Sequence, residues 1–303
     1  MKGLVIVVAG IIALLNAYPA FAQYPVLVAT RGNETVTLVG SLHVGISDPV
    51  RAREAERLLA SSSSMCLEFD PTDTASIVAD ANAAIRNPPG RSLSARVGPD
   101  IYRKVVARLK PILGNDVNYD AMTPFVAGSL LAMVIDDLRT DNLRQQPATS
   151  PDADLLRAAS VFHRPVYGIE RPRAVAASFQ RIGDAEWSAY LDAVLHILDC
   201  PACVINYSAG MRQLTKLSLD VDASHRALHA AAGGNIAIVG LFDRLYFGQR
   251  NEDIAEAISA GGERRRCNLI ALGIGHLGGK QGVDALLRRA GWTVSSAASA
   301  GGK

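Results

Sequence analysis

Two apolar runs at opposite ends of the chain close in the same way, and this repetition constrains the fold more than any other feature. Gly40-Ser41-Leu42-His43 ends the run that begins at Thr35, and Gly273-Ile274-Gly275-His276 ends the run that begins at Leu269. Two further apolar runs stop at an ionisable residue: Met65–Leu67 at Glu68, and Val166–Ile169 at Glu170. Short apolar runs bounded by turn residues read as strands. If these strands are parallel neighbours, their carboxyl ends share one edge, which is where open α/β sheets bind ligands. Two imidazoles and two carboxylates would then meet there. That donor set suits a divalent ion such as zinc, manganese or cobalt. In each Gly-x-x-His, the glycine (Gly40, Gly273) lets the backbone bend or approach a neighbour without a Cβ clash. The alternative is a pair of histidines hydrogen-bonded at strand ends.

The remaining pattern fits an α/β protein. Val26–Thr30 and Thr35–His43 read as two strands joined through Arg31-Gly32-Asn33-Glu34. Asp48 and Pro49 have the chemistry of an N-cap and a first helical residue, predicting a helix to about Ala60. Ile101, Val105, Leu109 and Ile112 mark an amphipathic helix. Thr123-Pro124 opens a helix that is apolar almost all round, and Ser150-Pro151 opens another with Asp152 and Asp154 in its first turn. Pro172 starts a helix directly after the Glu170 strand, and the pattern stays helical to about Gly261. A helix over Gln281–Ala290 and a strand over Trp292–Ser295 follow. The expected fold is α/β: a central mixed, partly parallel sheet flanked by helices, with a large helical insertion in the middle. A single domain over 23–295 is expected, with the small, polar tail 296–303 disordered.

The amino terminus directs the chain out of the cytoplasm. Lys2, an uncharged apolar run over Gly3–Leu15 and the Ala20-Phe21-Ala22 pattern form a signal peptide over 1–22. The run is interrupted at Asn16, Tyr18 and Pro19, short of the ~20 residues a membrane span needs. Gln23, rather than Cys, argues against a lipid anchor. A periplasmic protein is expected, with no stable membrane span once the signal is removed. The net charge of +2 leaves no basic field for nucleic acid or anionic lipid.

An exported chain favours pairing of its four cysteines, at 66, 200, 203 and 267. Cys200-Pro-Ala-Cys203 ends a helical pattern instead of following a strand, so a local structural disulfide is expected and not a redox centre. His225 and His229 have helical i, i+4 spacing, but Arg226 fills the place where the metalloprotease helix motif carries Glu. They are read as a solvated helix face. His163 and His196 are read as structural.

Several motifs resemble the TraB/GumN family, which is related to the TIKI metalloproteases. They occur in order along nearly the whole chain: Leu38-Val-Gly-Ser-Leu-His-Val-Gly45, Cys66-Leu-Glu-Phe-Asp70, Asp152-x-x-Leu155 with Arg164-Pro-Val-Tyr-Gly-Ile-Glu170, Arg250-Asn251, and Leu272-Gly-Ile-Gly-His-Leu-Gly-Gly279. Ser41 stands where the family more often has Thr, and Cys200 and Cys203 fall in its variable part. The resemblance implies that His43 and His276 bind a metal, and that Glu68 binds it too or acts as general base. It makes Glu170 a further ligand or base, alternatively an N-cap-like partner of the helix at Pro172. It leaves Arg250, beside Asn251, to steady an oxyanion, to pin Glu170 in a bidentate pair, or to form a structural salt bridge at a helix start. The activity implied is metal-dependent hydrolysis of a peptide or small-molecule substrate. Related folds bind haem, so a haem- or metal-binding module without catalysis, or a non-catalytic envelope accessory protein, are the other readings.

Cleavage before Gln23 is directly measurable. The exported protein should give an intact mass beginning at that residue, and a retained Met1 would remove the periplasmic assignment.

Overall fold

The computed structural model describes residues 24–42, 48–73, 75, 87, 90–137, 150–171, 174–175, 177, 179, 181–206, 220–231, 240 and 243–297. His43, Pro172 and residues 1–22, where a signal peptide is expected, lie outside these residues, as do positions 298–303.

The strands are β1 (Val26–Arg31), β2 (Glu34–Ser41), β3 (Met65–Leu67), β4 (Val166–Gly168), β5 (Leu269–Gly273) and β6 (Thr293–Ser296). They form one sheet in the order β4-β3-β5-β2-β1-β6. β1 and β2 make the expected antiparallel hairpin around Gly32, whose φ of 59° a side chain would resist. β6 pairs antiparallel with β1. It runs one residue past the expected boundary, because Ser296 pairs with Leu27 and is therefore strand, not tail. The other half of the sheet is parallel: β2 pairs with β5, β5 with β3, and β3 with β4. The four runs that end in ionisable residues are thus the parallel neighbours, and their carboxyl ends share one edge.

The helices expected from Pro49, Pro124 and Pro151 form; the one expected over Gln281–Ala290 spans Val283–Arg289, and the start expected at Pro172 lies outside the described residues. Helix α1 (Pro49–Ala60) begins where the Asp48 carboxylate accepts from the N–H groups of Val50 and Arg51. The helical middle comprises α2 (Leu93–Val97), α3 (Pro99–Leu113) and α4 (Pro124–Asp137). Helix α5 (Pro151–Val161) is capped by Ser150. It packs on α1 through a buried Arg51–Asp154 pair at 3.0 Å. Then come α6 (Asp184–Asp199), α7 (Val221–Ala231), α8 (Gln249–Ala260) and α9 (Val283–Arg289). Helices α1, α5, α8 and α9 supply buried residues to one hydrophobic cluster with the sheet, including Leu59, Leu155, Ile254 and Leu287. The insertion has its own cluster, built by α2, α3, α4 and α6 around Trp187, Leu109, Leu131 and Leu191.

Two disulfides account for all four cysteines. Cys200–Cys203 is the expected local bridge. Its setting differs in one respect: Cys200 ends α6 and also opens a short helical stretch over 201–206, where its sulfur accepts from the Cys203 N–H. The second bridge, Cys66–Cys267, was not singled out by the sequence. It joins β3 to the segment leading into β5, with Cα atoms 5.7 Å apart.

The two bridges should differ in their effect on stability. Cys66–Cys267 closes a loop of 201 residues. Constraining so long a loop in the unfolded chain is worth up to ~5 kcal/mol by chain entropy, and ~2–5 kcal/mol in measured proteins. Cys267→Ser with Cys66→Ser should lower unfolding free energy by about that range in denaturant titrations. Cys200→Ser with Cys203→Ser, opening a loop of only 3, should change it far less.

Candidate functional site

The edge shared by β4, β3, β5 and β2 carries most of the residues selected from the sequence. Glu68 follows β3, Glu170 follows β4, and His276 sits in the short 3-10 turn Ile274–His276 after β5. Arg250 and Asn251 occupy the first turn of α8. All five side chains are buried or nearly so, with Glu68 6% and His276 4% exposed. Charges so far from water require partners.

Arg250 supplies them. Its Nε and Nη2 donate to Glu170 Oε1 and Oε2 at 2.9 and 2.6 Å, the bidentate fork that guanidinium geometry favours. Nη2 also donates to Glu68 Oε2 at 2.9 Å. Glu170 is therefore an arginine partner here; its alternative role as a cap at Pro172 falls outside the described residues. Burial raises its pKa above the ordinary carboxylate value, opposed by the Arg250 hydrogen bonds and charge and reinforced by Glu68.

The other oxygen of Glu68, Oε1, accepts from the Gly273 backbone N–H at 2.7 Å. A Cβ at Gly273 would lie 2.9 Å from that same oxygen, so the glycine admits the carboxylate to the backbone. Its φ is −49°, an ordinary value, so conformational freedom is not its purpose. Gly40 has the matching role in β2: a Cβ there would come within 2.5 Å of Ile274 and 2.6 Å of Pro25. The two Gly-x-x-His motifs thus lie side by side with their glycines offset by one residue: Gly40 faces Leu272 and Ser41 faces Gly273 in register. His43 lies outside the described residues.

Asn251 sets the protonation geometry of His276. Its amide nitrogen donates to the Gln281 carbonyl at 2.7 Å, which turns Oδ1 towards the imidazole. Oδ1 then accepts from His276 Nδ1–H at 2.6 Å. The nitrogen that remains an acceptor, Nε2, stands 3.6 Å from Glu68 Oε1. An imidazole lone pair and a carboxylate facing each other at this distance suit a cation between them, or a proton on the ring. Glu68, Glu170 and His276 each offer a ligand atom, all within 4.8 Å of one another. Among the described residues two buried carboxylates meet one guanidinium, so with both ionised and the imidazole neutral the cluster is net negative. An imidazole fixed through its remote N–H is the usual support of a metal-binding histidine. The residues present fit a divalent ion.

Sequence reasoning placed Asn251 in the site without this orienting role, for which adjacency to Arg250 was its one signal. It assigned His225 and His229 to a solvated face, whereas both are partly buried. Asp243, not singled out, lies 3.0 Å from His229.

The sequence model of the TraB/PrgY/gumN family matches residues 25–296. No curated protein and no solved structure matches the chain.

Replacing Arg250 should expose what it neutralises. Arg250→Met removes the guanidinium shared by two buried carboxylates, a defect of ~3–5 kcal/mol in comparable buried pairs. Without the guanidinium, burial raises the Glu170 pKa unopposed by its charge, so Glu170 in the folded variant holds its proton more tightly than in the unfolded chain and the variant regains stability as pH falls towards the ordinary carboxylate range. Denaturant titrations near neutrality and near pH ~5 should therefore show a deficit that narrows in acid. An equal deficit at both would mean that the loss is one of packing.

Proposed function

Because the chain belongs to the TraB/PrgY/gumN family and buries Glu68 against an imidazole of fixed tautomer, we propose that it is an exported metal-dependent hydrolase acting on peptides. The facing of His276 Nε2 and Glu68 Oε1 carries this reading. Glu68, Glu170 and His276 would hold a divalent ion, with His43 joining them from the second Gly-x-x-His. Manganese, cobalt and zinc all match these donors. Such an ion supplies a bound water with a pKa lowered to ~7.

The protein's own groups have separable tasks. Arg250 offsets part of the carboxylate charge and fixes Glu170. Glu170 is a ligand or, in its place, a base; burial raises its pKa, the direction that favours accepting a proton. Gly273 and Asn251 hold Glu68 and His276 in place. Export is supported by the amino-terminal sequence and by the two disulfides, which persist in oxidising compartments. Among the described residues no helix is long and apolar enough to cross a membrane.

Metal content and peptidase rate, measured together on protein purified without chelator, test the reading. His276→Ala and His43→Ala should lose metal and turnover together. Asn251→Ala should weaken metal binding by ~10–100-fold, as loss of an orienting partner does. Glu68→Gln should either lose metal, as a ligand, or keep it and slow turnover by ~10²–10⁴, as a base. Full metal occupancy in both histidine variants would sink the shared site. A Soret band with added haem, and no peptide turnover, would make the protein a binding module instead.

A further inference from the structure

His225 and His229 lie one turn apart on α7, and their rings are 4.3 Å apart between centroids. Asp243 reaches them from the π-helical turn Asp243–Gly248, which runs directly into α8. His229 Nε2 and Asp243 Oδ1 are 3.0 Å apart, and the three residues each offer a ligand atom within 4.8 Å of the others. The Nδ1 atom of His225 is buried without a hydrogen-bond partner among the described residues. An orphaned imidazole nitrogen is costly unless something is bound there. π-Helical turns are rare and concentrate at functional sites.

We propose that His225, His229 and Asp243 form a second divalent-metal site, separate from the Glu68–His276 centre. Two imidazoles and one carboxylate select a transition ion of the zinc or cobalt type over magnesium, which prefers oxygen donors. Three protein ligands leave further positions for water. Arg226 stands where a helix motif of this spacing would carry a catalytic Glu, and it pairs instead with Asp220 at 3.2 Å. The ion therefore has no helix-borne base and acts by linking α7 to the turn that leads into Arg250 and Asn251.

The surroundings are shaped for the histidine. Gly279, at φ 69°, lies against the ring, and a Cβ there would come within 2.6 Å of His225 Nε2. Its N–H donates to Asp222 at 2.7 Å, docking α7 on the loop that follows His276. Phe247 stands edge-on to both His225 and His276, with ring centroids 6.4 and 5.3 Å away. An aromatic ring thus borders both centres, and no shared ligand joins them among the described residues.

Titration of the full exported protein with zinc or cobalt alone, followed by calorimetry and cobalt absorption, tests the site. The wild type should bind two equivalents. Asp243→Asn and His229→Ala should each lose one, or weaken it by at least ~10-fold, while His276→Ala keeps it. Should the first centre bind no metal, His276→Ala and the wild type would both bind a single equivalent, and the second site would stand alone. Unchanged stoichiometry and affinity in Asp243→Asn and in His225→Ala/His229→Ala would overturn the proposal, as would a folded His276→Ala variant that binds none. If the histidine variants fail to fold, imidazole NMR signals of the wild type decide: zinc must shift His225 and His229 in the first or second equivalent.

Discussion

The guanidinium of Arg250 is the constraint on which the rest of the site depends. Parallel strands bring their carboxyl ends to one edge, and here two of those ends deliver carboxylates into a space closed to water. Unpaired, Glu68 and Glu170 would oppose folding by several kcal/mol each. One side chain on α8 meets both, so the register of α8 against the sheet is fixed by charge as well as by Ile254 and Ile258 in the core. Asn251, next along the same turn, consequently arrives at His276 in the one orientation its amide permits.

The Cys66–Cys267 bridge serves the same edge by other means. Cys66 lies on β3 two positions before Glu68, and Cys267 precedes the strand that carries Gly273. A covalent tie between these strands fixes their relative slide, and the Glu68–Gly273 hydrogen bond depends on that slide. The helical insertion has its own apolar cluster and contributes to this edge indirectly, through contacts such as Arg244 with Glu186.

Much of this was legible in the amino-acid sequence because its signals are local. A β2 strand running into Gly-x-x-His, an Asp-Pro helix start and a C-x-x-C bridge are each set by a few adjacent residues. The parallel edge was legible because four separate runs end alike. What escaped depends on distance in sequence. The Cys66–Cys267 partnership spans 201 residues, and spacing has no rule for it. Asn251 looks like an ordinary first-turn residue until Gln281 claims its amide. His225 and His229 resemble a solvated pair until Asp243, on another element, comes within hydrogen-bond distance.

The glycines link these scales. A glycine before a histidine suggests a flexible turn, yet Gly273 has an unremarkable backbone and is needed for the space its missing Cβ leaves. The same holds at Gly40 against Ile274 and Pro25. Both motifs therefore encode close packing of the two strands that carry them, and chemistry enters through what the packing admits. At Gly273 that is the Glu68 carboxylate, lodged between a backbone N–H and Arg250, with His276 Nε2 facing it. An alanine at this position would push on the carboxylate while leaving every polar atom of the site in the chain, so Glu68 would shift against Arg250 and His276 through the added Cβ alone.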